Sequence, residues 1–428
     1  MYGLPYRCSR TTRTSGARAP WCTTSVRILL TTRGSSGHVL PLAPLGQAAL
    51  AAGHDVLVAA QRQHEANVVR TGLPFAPVGD PPAEEWMPLM ADFARLDVDR
   101  ANAAMIGEFF ARIDTRAALP ELRAIVAEYR PDVIMRESWE FTSTLVAEPL
   151  GIPVARVALG LASVDELTIA LASPTLDELR AELGLAADPD GERLRGTPVL
   201  SAVPELLDDH EPAIASPPRR FSPGAAGTGP SPPLADWWSD EDGPLVYVTF
   251  GSVTAAEHLP YYPELYARAI EALEPLDARV LVTLGEARDP HLLGPLPRHV
   301  HVERWVPQDA IAPHASVIVT HGGYGSTLGA LRHGVPLVVI PLFSVDQWAN
   351  AAAVERIGAG IALDADHDSR TVLGLPTAEV MRGLGPAVER VLAEPSYRAE
   401  ARHLAAADRE TPSAATVVDE LLSRAKAP

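Results

Sequence analysis

An α/β protein of two domains, each a parallel sheet covered by helices on both faces, is the architecture this sequence predicts, and three observations predict it. Short apolar runs alternate with helical patterns over residues 26–158, and the same alternation restarts at residue 245. A stretch rich in Pro, Gly and Ser, 215–242, separates the two series. The chain has 428 residues, 47% hydrophobic and 21% charged, too long for one ordinary core and apolar enough for two.

Residues 26–31 (VRILLT) have the length and apolarity of a buried strand; a Gly/Ser turn at 33–37 leads to a helical pattern over 41–52 that Gly53 stops. The unit repeats as strand 54–60, helix 61–71 with Gly72 behind it, and strand 73–78. Residues 83–119 break the rhythm. There Trp86, Met87, Met90, Phe93, Met105, Ile106, Phe109 and Phe110 spread over two irregular helices, which read either as an apolar ligand groove or as ordinary helix packing. Helix 121–129, strand 132–136, helix 141–150 capped by Gly151 and strand 153–158 follow. Pro217, Pro218, Pro223, Pro230, Pro232 and Pro233 mark 215–242 as a linker between domains at 26–214 and 243–404.

The second series opens with strand 245–250 (LVYVTF), Gly251-Ser252 and helix 260–273, then strands 279–284 and 299–303. Strand 317–320, a glycine turn, a helix opening near Ser326, strand 335–340 and a polar loop carrying Asp346 and Gln347 complete it. Residues 405–428 form a closing helix, with Ala, Val and Leu at helical spacing over 414–426. Both halves are thus Rossmann-like. Residues 1–25 hold four arginines and no acid ahead of the first strand and read as a disordered extension.

The formal charge of −18, from 36 basic and 54 acidic residues, disfavours nucleic acid and anionic membranes as partners. A small anion can still bind at a helix N-terminus, because those donors act locally while bulk charge is screened beyond about 10 Å. Only Cys8 and Cys22 occur, outside any expected element, so neither a disulfide framework nor a cysteine metal site is expected. A reducing, cytoplasmic setting fits this, as does the lack of an apolar run of about 18 residues.

Two regions carry chemistry. In H-G-G-Y-G-S, 321–326, Gly322, Gly323 and Gly325 let the backbone turn tightly ahead of a helix whose free N–H groups suit a diphosphate, with His321 and Ser326 as added donors. An ordinary strand-turn-helix remains the alternative. In G-S-S-G-H-V-L-P, His38 follows the first strand, at the sheet edge where open α/β folds bind ligands, and an imidazole's ordinary pKa of about 6.5 suits a general base. The turn lacks G-x-G-x-x-G. Glu137, at the end of strand 132–136, points to the same edge and can hold the His38 ring, as the acid of a Ser-His-Asp triad does; Arg136 and Glu140 are rivals, and a surface ion pair is the other reading. Asp-x-Asp strings at Asp97, Asp188 and Asp364 do not follow a strand into a glycine turn and read as solvated surface, so no metal site is expected.

G-H-V-L-P at 37–41, W-V-P-Q at 305–308, and H-G-G-Y-G-S with D-Q at 321–326 and 346–347 occur in this order on the two halves. With these motifs the chain resembles, from residue 26 to about 426, the inverting, nucleotide-sugar-dependent glycosyltransferases of the GT-B fold that decorate macrolide, enediyne and glycopeptide natural products. The resemblance implies two facing domains, acceptor on the first, donor on the second, and a C-terminal helix returning to the first. It implies His38 as catalytic base and Glu137 as the acid orienting it, where relatives usually have Asp. Trp305 would stack on the nucleobase with Gln308 nearby; His321, Gly323, Gly325, Ser326 and Ser252 would hold the diphosphate; Asp346 and Gln347 would read sugar hydroxyls. Relatives using UDP-sugars commonly place Glu three residues after the motif's Ser, to bind ribose hydroxyls; here that position is Gly329, which favours a dTDP-sugar over a UDP-sugar. The partners so implied are this co-substrate and a hydrophobic aglycone, with no further cofactor. A nucleotide-sugar 2-epimerase of the same fold and a silent scaffold for another transferase are the alternatives.

Overall fold

The computed structural model describes residues 25–209, 217–224, 243–254, 259–285, 288–364 and 371–425. The expected extension, with Cys8 and Cys22, and most of the expected linker lie outside them.

The first sheet has seven strands: β1 Arg27–Thr31, β2 Asp55–Gln61, β3 Phe75–Val78, β4 Val133–Glu137, β5 Val154–Val157, β6 Val199–Ser201 and β7 Arg219–Arg220, in the order 3-2-1-4-5-6-7. The second has six: β8 Leu245–Thr249, β9 Arg279–Thr283, β10 Val300–Glu303, β11 Val317–Thr320, β12 Leu337–Val339 and β13 Gly360–Ala362, in the order 10-9-8-11-12-13. Every neighbouring pair is parallel. Such strands are apolar on both faces because helices cover both. Ile28 and Leu30 thus enter one core while Leu29 enters another; Val317 and Val319 separate from Ile318 in the same way.

In each sheet the strand order reverses beside the first strand of the half, between β1 and β4 and between β8 and β11. Open α/β sheets bind ligands in the crevice outside the strands' carboxyl ends at this point. The turns after β1 and β11 therefore stand where sites form.

Several expected elements differ. β2 runs on through Gln61, which pairs with Val78, so the helix expected over 61–71 shrinks to Glu65–Val69. The insertion is a helix Ala83–Phe93, a helix Val98–Ala104 and a π-helical stretch Met105–Asp114 that runs without a break into Thr115–Tyr129, through Pro120. β7 falls within the stretch expected to be linker and adds an edge to the first sheet beside β6. The long helix Ala162–Glu182 has no counterpart in the sequence reading.

The halves are joined by more than chain continuity. Leu161, Val164, Val203 and Leu207 of the first share an apolar core with Leu328, Leu331 and Val354 of the second. The closing helix Ala414–Ala425 returns to the first half, where Val417, Val418 and Leu422 are buried against the Ala43–Ala51 side of its sheet. No helix among the described residues is long and apolar enough to cross a membrane.

Candidate active site

His38 lies in a short helical turn, Ser36–Val39, directly after β1. Glu137 is the last residue of β4, the strand paired with β1 in a register that sets Thr31 beside Arg136. His38 Nδ1 stands 2.9 Å from Glu137 Oε1. Glu137 is wholly buried, so this is not a surface ion pair. Burial alone would push its carboxyl up; the His38 imidazole, the Trp139 N–H at 2.5 Å and Arg33 outweigh it and hold the carboxyl below its ordinary range. The Arg33 N–H also reaches Oε1, at 3.3 Å. A carboxylate fixed on Nδ1 leaves Nε2 as the nitrogen that can take a proton from a substrate.

The two rivals have other work. Arg136 is fully buried and donates through Nη1 to the carbonyls of Glu137, Ser138 and Glu140, bracing the turn after β4. Glu140 accepts from the hydroxyls of Thr31 and Ser143.

An aromatic wall leads from the dyad into the insertion. Trp139 meets His38 edge-on at 5.6 Å, Phe110 meets Trp139 at 5.1 Å, and Phe109 follows at 5.4 Å. The Arg33 guanidinium lies 3.7 Å from the Phe110 ring centre and 3.1 Å from Asp114. Trp139 and Arg33 were not singled out from the sequence. Trp139, two residues beyond Glu137 in E-S-W, had a signal in that proximity alone.

In the second half the glycines shape a slot for His321. An added Cβ at Gly251 would come within 2.7 Å of its ring and one at Gly323 within 2.5 Å, so both positions must lack a side chain. Burial pushes the His321 pKa down to about 4, so the ring is neutral at pH 7. Gly322 has φ +85°, and an added Cβ there would come within 2.7 Å of the Gln347 carbonyl oxygen, so both its freedom and its bareness serve the turn. Gly325 differs, because a Cβ there meets nothing within 4 Å; its bareness leaves space above the N-terminus of the helix Tyr324–Arg332, where an anion is favoured. Ser326 sits in the first turn of that helix, half-buried. Ser252 belongs to the helical turn Gly251–Thr254 after β8, and its side chain lies outside the described residues.

Trp305 is 55% exposed on the segment after β10. Gln308 opens the turn Gln308–Ile311 and donates to the Ser326 carbonyl at 2.8 Å, tying this segment to the glycine-turn helix. Its carboxamide covers Gly329, where an added Cβ would come within 2.8 Å of Nε2.

Asp346 and Gln347 stand in the first turn of a helix, Val345–Arg356, and not in the expected loop. Ser344, extended at φ −117° and ψ 136°, starts the helix there, and an acid in the first turn complements its dipole. Gln347 Oε1 accepts from the N–H groups of Leu342 and Phe343, which fixes the orientation of its carboxamide. Burial pushes the Asp346 carboxyl up; the Ser344 hydroxyl, which donates to it, and the charge of His38 offset this in part.

Residues 47–184 match the N-terminal domain, and residues 267–423 the C-terminal domain, of the erythromycin biosynthesis protein CIII-like family. The L-demethylnoviosyl transferase of Streptomyces niveus is 32% identical over 402 residues, covering 92% of this chain and 97% of that protein. The TDP-daunosamine transferase DnrS of Streptomyces peucetius is 29% identical, covering 94% and 98%. The glycosyltransferase SsfS6 of Streptomyces sp. SF2575, solved with thymidine diphosphate, superposes with a TM-score of 0.68 at 27% identity over 93% of this chain and 99% of its own. The two-sheet architecture is the GT-B fold, and the chain belongs to the erythromycin biosynthesis protein CIII-like family of natural-product glycosyltransferases.

Proposed function

We propose that this glycosyltransferase moves a deoxysugar from a dTDP-sugar to a hydroxyl of a hydrophobic aglycone, with inversion at the anomeric carbon. His38 Nε2 takes the hydroxyl proton, Glu137 holds the ring and stabilises the imidazolium, and the acceptor oxygen attacks as the dTDP oxygen leaves from the opposite face. The leaving diphosphate lies over the open Gly325 at the N-terminus of the helix Tyr324–Arg332, with neutral His321 as a donor beside it. Trp305 stacks on thymine, and Asp346 and the Gln347 amide orient the sugar towards His38.

The observation that carries this reading is the buried His38–Glu137 pair at 2.9 Å, directly after the carboxyl end of β1. A deoxyribose nucleoside, as in thymidine, is supported by Gly329, because Gln308 fills the space in which a ribose-binding carboxylate would stand. The thymidine diphosphate complex of SsfS6 and the name of DnrS point the same way. The aromatic wall Trp139–Phe110–Phe109 supports an apolar acceptor.

Replacing His38 by Ala is expected to abolish transfer while dTDP affinity, measured by calorimetry, stays within about twofold; retained turnover would remove His38 as base. A panel of dTDP- and UDP-sugars titrated into the wild type tests the donor, and tighter binding of the UDP series would overturn the thymidine assignment.

A further inference from the structure

The donor-sugar turn in the second half is completed by a side chain of the first. Asn102, 6% exposed, projects from the insertion helix Val98–Ala104. Its Nδ2 donates to the Phe343 carbonyl at 3.1 Å and to the Val98 carbonyl at 2.8 Å, while its Oδ1 accepts from the Val345 N–H at 3.2 Å. Val345 is the first residue of the helix that carries Asp346 and Gln347, and its N–H is one of the donors that a helix cannot satisfy itself. The local cap residue, Ser344, donates instead to Asp346 and caps nothing. From inside, Gln347 closes the same turn through the N–H groups of Leu342 and Phe343.

We propose that Asn102 is a positioning residue: it caps the donor-sugar helix from the other half of the chain and so couples the acceptor-side insertion to the orientation of Asp346 and Gln347. This rests on the donor reading given above. The turn has two clamps, one its own and one borrowed, and the borrowed one exists only while the domains face each other. The insertion has a second hold on the same domain, the Val372 N–H donating to the Leu96 carbonyl at 3.0 Å. Further along, the same insertion supplies Phe109 and Phe110 to the wall beside His38, so one continuous segment touches both sides of the reaction. An acceptor that shifts the insertion thereby acts on the sugar-reading turn without touching the donor.

The contact is tested first without ligand. In Asn102→Ala, amide exchange at Val345 is expected to speed up about fivefold while β11 keeps its protection; unchanged exchange at Val345 overturns the contact. Calorimetry then separates positioning from mere stability. Wild type and Asn102→Ala should bind dTDP within about twofold of each other, whereas affinity for dTDP-glucose should fall about fivefold in the variant. Equal losses for both ligands, or none for either, overturn the positioning role. Val345→Pro removes the same N–H at a position where helices tolerate proline, so it should reproduce the loss and add nothing to Asn102→Ala, whereas additive losses overturn the pairing. A wild type that binds neither dTDP nor dTDP-glucose overturns the donor reading instead, and the exchange experiment still decides the contact.

Discussion

His321 shows how one residue serves the fold and the site by staying uncharged. Its ring is wedged between Gly251 and Gly323 at the carboxyl end of the second sheet, and burial pushes its pKa from 6.5 down to about 4. A histidine whose folded pKa is depressed binds fewer protons folded than unfolded, so its contribution is full above pH 6.5 and is lost as pH falls towards 4. Between pH 7.5 and pH 5 that loss amounts to roughly 2 kcal/mol of stability. Urea unfolding of wild type and His321→Asn at both pH values checks it: the variant starts less stable, through the space its smaller side chain leaves, but should lose about 2 kcal/mol less on acidification. Equal losses in the two proteins would show that the ring is solvated. The pairing of His38 with Glu137 was legible in the sequence because one lies in the turn after a central strand and the other ends its neighbour, whereas Asn102 was not: its partner Phe343 lies 241 residues away, and one polar residue among the many of the insertion carries no signal.

At the scale of elements, central strands were legible because burial on both faces makes them continuous apolar runs. The helix Ala162–Glu182 was hidden for the opposite reason. It is packed on several sides and buries Asp165, Thr168, Ser173 and Arg180 among its apolar residues, so no single stripe emerges. Each of these has a partner: Asp165 accepts from Ser138 at 2.6 Å, and Arg180 forks onto Glu148 at 2.7 and 2.8 Å. Asp346 and Gln347 were placed in a loop because the cap of their helix comes from another domain. In the helix Tyr324–Arg332, Gly329 gains a second meaning besides the missing carboxylate, since it gives Gln308 its seat. Gly329→Ala should displace the Gln308 carboxamide from the Ser326 carbonyl and weaken dTDP binding by about 1 kcal/mol, roughly fivefold. Gln308→Ala should cost about as much, and the double variant no more, because both remove one contact. Calorimetry with dTDP reads all three. An unchanged affinity in Gly329→Ala would leave Gln308 without a part in nucleotide binding.

The whole molecule is laced where the chain crosses between halves. The Ser222 N–H donates to the Pro412 carbonyl at 2.8 Å, its hydroxyl reaches Asp408 at 3.2 Å, and Asp408 also meets Arg332 at 3.3 Å. The outgoing and returning segments thus run side by side, next to the Arg332 end of the glycine-turn helix. Beyond them the closing helix gives its apolar face to the first sheet, with Leu422 only 4% exposed. The helix that follows the second domain therefore packs into the first domain's core, and separating the halves means uncovering that core. Leu422→Ala should destabilise the protein by roughly 2–5 kcal/mol, the range for deleting a buried leucine. The loss should be regional. Amide exchange should accelerate in β1 and β2, whose far side the helix covers, before it does in β8 and β11, because those strands belong to a core that the closing helix does not enter. Exchange that rises equally in both sheets would mean instead that the two halves unfold as one cooperative unit, held together by the apolar core they share through Leu161, Val203 and Leu207.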